Sequence, residues 1–458
     1  MDTTGAAVDP LIGGREVEPA NPAEPAGFPV RVEATQVGPR RSVIVLAGSL
    51  AGGNLVAMAM RLAGGVLLGR LVAPSTLGLF AGIGLALGYA SMAQLGILNG
   101  LNRELPFYMG KGDVERARSL ASAAQAWALA VGAVVFAGLT GVAIWQLAQG
   151  ELWQAAGWFT NAILALFLFF GTGYLQMTFR SASDFVRLAR VNVAEGAVNL
   201  LGLALVPFLG FYGLCLRVLF AGATSTALLY RWRPVRVGPH WDWAHLKHLL
   251  VIGAPIFGVG QVDGLWTGVI NSTLVLSLTD THRMGLYTMV LLAITALEVV
   301  PAAVAQVLYP RMAQEYGAGR SRRHLVRIAI RPMVATCAAL SVVAAVGWVA
   351  AEPLVRFVMP QYVDAVPALQ WALLLPLVHS FQPLASVFNV VRRQDMYLAA
   401  LALGIAAYAG SLLFLTRGTV QLTAFPQAML VGRAVFMVVS YFLILHLQRA
   451  GHSEASAP

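Results

Sequence analysis

Residues 77–116 read LGLFAGIGLALGYASMAQLGILNGLNRELPFYMGKGDVER. An apolar helix starts at Gly-Leu-aromatic and ends in a short basic loop with Gly-x-Gly. Residues 284–323, MGLYTMVLLAITALEVVPAAVAQVLYPRMAQEYGAGRSRR, repeat the plan. Gly78-Leu79-Phe80 falls on Gly285-Leu286-Tyr287, Gly110 on Gly317, Gly112 on Gly319 and Arg116 on Arg323, each 207 residues apart without a gap. A constant offset over forty residues predicts a duplicated half-protein, a common plan among membrane carriers.

Composition sets the class. The 458 residues are 58% hydrophobic and 11% charged, where soluble domains carry roughly 25% charged residues. A mean hydropathy of +0.71 points to a polytopic membrane protein rather than a large soluble enzyme. The two cysteines, Cys215 and Cys337, both fall in apolar stretches, too few for a disulfide framework or a CxxC metal site. Gly110-Lys111-Gly112 lacks the upstream glycine and the following Ser/Thr of a phosphate-binding loop, and neither HExxH nor GxSxG occurs. No catalytic residue, metal or cofactor is expected.

A bilayer core needs about 20 apolar residues per helix. All-α architecture with twelve spans follows: 43–69, 77–101, 120–148, 155–178, 188–208, 211–230, 249–277, 285–308, 328–351, 364–390, 397–416 and 424–447. Residues 1–41 read as a disordered cytoplasmic tail without a signal-peptide pattern, and 448–458 as a second tail. Between them stand two six-helix bundles, 42–231 and 249–447, joined by a linker at 232–248. An even number of spans per half makes the repeats parallel, related by a pseudo-two-fold axis along the membrane normal. In the linker, Asp242 to His248 suggests an interfacial amphipathic helix, with Trp241 and Trp243 suited to headgroup depth.

With both termini inside, the inner segments hold 24 Lys and Arg; the outer loops hold four, Arg70, Arg283, Arg356 and Arg417. This bias predicts cytoplasmic termini and accounts for the net charge of +10 without nucleic acid. Topology signalling explains the basic loops; docking of anionic lipid headgroups is the functional alternative.

Several motifs together resemble the oligosaccharide (polysaccharide biosynthesis) flippases of the multidrug/oligosaccharidyl-lipid/polysaccharide, MATE-like, exporter superfamily. They are Gly69-Arg70-Leu71-Val72-Ala73-Pro74 before Gly78-Leu79-Phe80, and Gly110-Lys111-Gly112-Asp113 with Glu115-Arg116-Ala117-Arg118. The second half adds Gly253-Ala254-Pro255, Gly285-Leu286-Tyr287, Pro301, Gln306 to Arg311 and Val363 to Leu369. Where the family often carries Asp-Arg fourteen residues before the second Gly-Leu-Tyr, this chain has Asn271-Ser272, and Asp263 lies two turns earlier. The resemblance, over roughly 42–447, implies a V-shaped cavity between rocking bundles in a bacterial inner membrane. The implied cargo is a polyprenyl-diphosphate-linked oligosaccharide, moved to the outer leaflet for surface polysaccharide, with Na⁺ or H⁺ coupling. Implied partners are membrane lipids, a polysaccharide polymerase and glycosyltransferases.

Intramembrane charges are the residues able to carry such work, because each costs about 2.5–3.5 kcal/mol at the bilayer centre. Arg61, Arg217 and Arg433 form a cationic substrate site in one reading, since guanidinium holds phosphate bidentately. In the other they are interhelical ion pairs or snorkelling side chains. Asp263 and Glu298 are either coupling-ion ligands or salt-bridge partners. Glu195 lies near the inner end of span five, and His379 reads as a hydrogen-bonded packing residue. Gly260 and Gly264 suggest close helix packing, and the glycine-rich span seven as a whole a bending gate. A drug/cation antiporter would favour carboxylates over arginines. A membrane glycosyltransferase or polymerase would carry a large polar outer loop, and the longest here is about a dozen residues around Glu352–Val363.

Overall fold

The computed structural model describes residues 41–182, 184–317, 321–391 and 393–455; side chains are described from Val56 onward, with gaps that include Asp263. The tail expected at 1–41 lies almost wholly outside the described residues, as does Gly319. Among the described residues every regular element is a helix and there is no strand. Helix α1 is Arg41–Leu71, α2 Pro74–Gln94, α3 Ile97–Lys111, α4 Val114–Ala148, α5 Leu152–Ser181, α6 Phe185–Leu209 and α7 Phe211–Trp232. The second half holds α8 (Trp243–Pro255 with Gly260–Leu278), α9 (Thr281–Gly317), α10 (Arg322–Val358), α11 (Pro360–His379 with Gln382–Phe388), α12 (Gln394–Leu415) and α13 (Ala424–Ala455). Nine helices are long and apolar enough to cross a membrane, or eleven if each bent pair is one span, among the described residues. Helix α1, 31 residues long, is a further segment of spanning length.

Local chemistry sets the boundaries. The span expected to end at 101 instead breaks at Leu95 and Gly96, both at positive φ (51° and 87°), and resumes as α3 to Lys111. The basic loop shrinks to one turn, in which Gly112 takes the left-handed conformation that glycine adopts without Cβ strain. Asp113 then caps α4 by accepting from the Arg116 N–H. The amphipathic helix expected at 242–248 is not separate: Asp242 accepts from the Ala244 and His245 N–H groups, and α8 runs on from there into the membrane. The His245 ring beside Asp242 holds its carboxyl below the usual carboxylate range.

The duplication appears as a reciprocal contact. A Cβ on Gly78 would fall on the Thr281 carbonyl oxygen, and one on Gly285 on the Pro74 carbonyl oxygen. Each glycine of one half thus sits over the carbonyl four residues before its counterpart in the other, as a pseudo-two-fold axis between α2 and α9 requires. This contact lies at the charge-poor end of the bundle. Around it Arg70 Nε donates to the Val358 carbonyl (2.6 Å), Gln361 Nε2 to the carbonyls of Gly69 (2.6 Å) and Val72 (2.9 Å), and Tyr362 Oη to Val72 (3.1 Å). The halves are sealed together there.

At the basic end one seam is sealed as well. A Cβ on Gly253 of α8 would strike the Gly96 carbonyl, and one on Gly100 of α3 the Leu249 carbonyl. Glu104 and His248 meet across this seam at 3.1 Å. The residues 207 positions beyond Gly96 and Gly100 are Ala303 and Val307, so the glycines of this seam are not repeated in the second half of the sequence.

Candidate functional site

Helices α1 and α9 touch at Gly65, whose Cβ would collide with the Leu292 side chain. Arg61 lies one turn from Gly65, on the same face of α1 as buried Ala57, Gly64 and Leu68, yet its side chain is 56% exposed. A residue exposed on a packed face opens on a space between helices, not on the outer surface marked by Val56, Leu67 and Leu71. On α9 the burial changes in step: Met284 to Val290 are almost all buried, and Thr295, one turn past Leu292, is exposed. Arg61 and Thr295 are thus both exposed, each about one turn from the Gly65–Leu292 contact.

The expected site residues divide among three places. Arg61 stands one turn from the α1–α9 contact, its side chain exposed and its Nη2 3.9 Å from Glu195 Oε1 on α6. Arg217, 8% exposed, is buried inside the first half, its stem against Gly202. Arg433, 4% exposed, is buried inside the second half, its guanidinium 5.0 Å from the centroid of the Trp266 ring. None of the three arginines contacts another among the described residues. Glu298 of α9 lies six residues past Leu292, about 9 Å along the helix axis and hence near the depth of Arg61. Its Oε1 is 2.5 Å from Nδ1 of His379, so the histidine expected as a hydrogen-bonded packing residue lies against a carboxylate. Asp263 lies on α8, its side chain outside the described residues.

The glycines of α8 differ from expectation. Gly258, Gly260, Gly264 and Gly268 have no neighbour within 4 Å of a Cβ, so Gly260 and Gly264 do not mediate close packing. The helix bends there by 59° and passes through a π-turn at Leu265–Ile270, which fits the bending half of the gate reading.

Beside that turn is a buried polar triad not anticipated from sequence. Asn271 Nδ2 donates to Tyr287 Oη (2.6 Å) and Asn271 Oδ1 accepts from Tyr408 Oη (2.8 Å), tying α8, α9 and α12 together. The Trp266 ring packs edge-on against Tyr408 at 5.3 Å, linking the triad to Arg433. Its one sequence signal was the amide standing where the family often carries a charge. Asn271→Leu leaves two buried hydroxyls without their partner and should destabilise the protein by about 2–4 kcal/mol. Adding Tyr287→Phe and Tyr408→Phe should recover most of it, because removing all partners of a buried network is nearly neutral. Thermal unfolding in detergent decides: a triple variant no more stable than Asn271→Leu means the triad contributes packing only.

A family of polysaccharide biosynthesis proteins matches residues 126–367. No curated protein matches the sequence. The fold is similar to an inward-facing multidrug resistance MATE family transporter of the MOP superfamily, with TM-score 0.68 and 16% identity over 88% of this chain and 96% of that one. An outward-facing conformation of such a transporter matches with TM-score 0.65 and 17% identity over 89% and 96%. A MOP superfamily transporter from Pyrococcus furiosus, described by the reverse polarity of its binding pocket, matches with TM-score 0.60 and 16% identity over 89% and 96%. At these identities the likeness concerns the fold.

Proposed function

We propose, from the premise that the chain belongs to the polysaccharide biosynthesis protein family, that it flips a polyprenyl-diphosphate-linked oligosaccharide between leaflets. That it is a multi-pass membrane transporter follows from family and fold together. The observation that supports the finer reading is Arg61, exposed on a packed face of α1 one turn from the α1–α9 contact, which suggests an opening between these helices. A lipid-linked cargo needs a lateral way in from the bilayer, and its diphosphate needs a cation that accepts two oxygens at once. The glycine-sealed α3–α8 seam leaves the α1–α9 side for that access. Positive-inside charge puts the basic end and both termini in the cytoplasm of a bacterial inner membrane. The sealed charge-poor end then faces outward, and the cargo loads from the inner leaflet. Glu298, held against His379, and Asp263 on α8 are the carboxylates for a coupling Na⁺ or proton. A polymerase and glycosyltransferases would act on either side of the flipping step, and the chain itself performs no bond-making chemistry.

One deletion strain tests this against drug export. Loss of the chain should cause lipid-linked oligosaccharide to accumulate on the inner leaflet several-fold, with growth in cationic dyes unchanged. Dye sensitivity without lipid-linked sugar would instead identify a drug/cation antiporter.

A further inference from the structure

We propose that the concavity where α7 meets the linker binds the phosphate of an anionic phospholipid at the basic end of the bundle. The concavity is lined by Tyr230, Arg231, Arg233 and Arg236. None of these arginines is in an ion pair among the described residues. The Arg233 guanidinium lies over the Tyr230 ring, 3.8 Å from its centroid, and its Nε is buried without a hydrogen-bond partner. Three guanidinium groups without a carboxylate repel one another unless an anion sits among them, and each presents a planar fork that fits a phosphate.

The arginines are held in place. After α7, Val235 and Val237 pack onto the apolar core formed by α3–α7 and the start of α8. Arg236, between them, is exposed. Ser122 of α4 donates to the Gly238 carbonyl at 2.5 Å, and Trp241 packs beside Trp127 at 5.9 Å, fixing the rest of the linker along α4. Trp241 and Trp243, both exposed, mark headgroup depth.

A lipid fits better than a free anion because of the outer face of α7. Phe220, Ala223, Ala227 and Tyr230 form an exposed stripe, at spacings of three and four, that leads to Arg231. An acyl chain lying along that stripe places its phosphate among the arginines. Free phosphate would use the arginines alone.

The test uses the full-length protein in phosphatidylcholine nanodiscs doped with phosphatidylglycerol, with retained lipid read by native mass spectrometry. Each arginine removed should weaken phosphatidylglycerol retention about fivefold, the effect of one basic residue near an anionic surface. The triple variant Arg231→Gln/Arg233→Gln/Arg236→Gln should lose selective retention. Arg116→Gln/Arg118→Gln, at the same end on α4, should keep it, and millimolar inorganic phosphate should not displace the lipid. If the triple variant is unstable, Arg231→Gln/Arg236→Gln, two exposed positions, makes the same test. Wild-type retention in the arginine variants overturns the proposal. So does equal loss in the α4 control, which would mean diffuse charge, and so does displacement by phosphate, which would mean a free-anion site.

Discussion

Gly78→Val is expected to hold the charge-poor end open and to abolish transport while leaving the protein in the membrane. A Cβ there already falls on the Thr281 carbonyl oxygen, a backbone atom of α9 that no rotamer change can move aside. The two helices must separate, and the hydrogen bonds from Gln361 and Tyr362 to the Gly69–Val72 turn lose their geometry with them. Overpacking of this kind costs typically about 1–3 kcal/mol, and every 1.4 kcal/mol shifts an open–closed equilibrium about tenfold. The measurement is maleimide labelling of Met284→Cys, a position 2% exposed in the closed end, after serine replaces Cys215 and Cys337. Labelling should be slow with Gly78 and at least about tenfold faster with valine. Gly285→Val should behave alike, because the contact is reciprocal. Unchanged labelling in both variants would mean that the closed end is not held by this crossing.

Arg61→Ala should lower lipid-linked oligosaccharide flipping by about 10–100-fold, the loss of one hydrogen-bonded charge on a phosphate. Arg61→Lys should restore part of it, since an ammonium keeps the charge and loses the fork. Glu195 supplies the discriminating control, because it is the one carboxylate near Arg61 among the described residues. If Arg61 only neutralises Glu195, Arg61→Ala/Glu195→Gln should flip normally. If Arg61 holds the cargo, the double variant should stay as low as Arg61→Ala. Flipping is read as protection of the glycan in inverted vesicles, and recovery in the double variant would reduce Arg61 to a structural partner.

Much of this architecture was legible because water and lipid sort residues by composition over long windows. The duplicated Gly-Leu-aromatic starts, the span-length apolar runs and the crowding of arginine at one end needed no partner information. What stayed hidden involves faces rather than lengths. Lipid tails are as apolar as a protein interior, so periodicity in α1 or α9 does not say which side meets a neighbouring helix. Arg61, Arg217 and Arg433 looked alike as isolated charges, and only packing separates the exposed one from two buried inside separate halves. Glu298 and His379 are far apart in sequence on different helices, and nothing local predicts their meeting. Gly260 and Gly264 had a spacing that suggests close packing, and their empty surroundings beside a 59° bend speak against it.

The glycine seam between α3 and α8 shifts a boundary that the duplication suggests. Leu246 and Leu249, in the first turns of α8, belong to the apolar core of the first half; Gly253 is pressed onto Gly96, and His248 onto Glu104. The linker before them is itself docked along α4. The sequence duplication therefore divides at the linker, but the packing divides well inside α8, past Pro255. A stroke of the halves against each other is expected to pivot within a transmembrane helix, at the bend where Gly258, Gly260, Gly264 and Gly268 meet no obstruction. A chain cut at the linker and expressed as two pieces would be severed through a packed core, with the second piece carrying about three turns of helix that pack with the first.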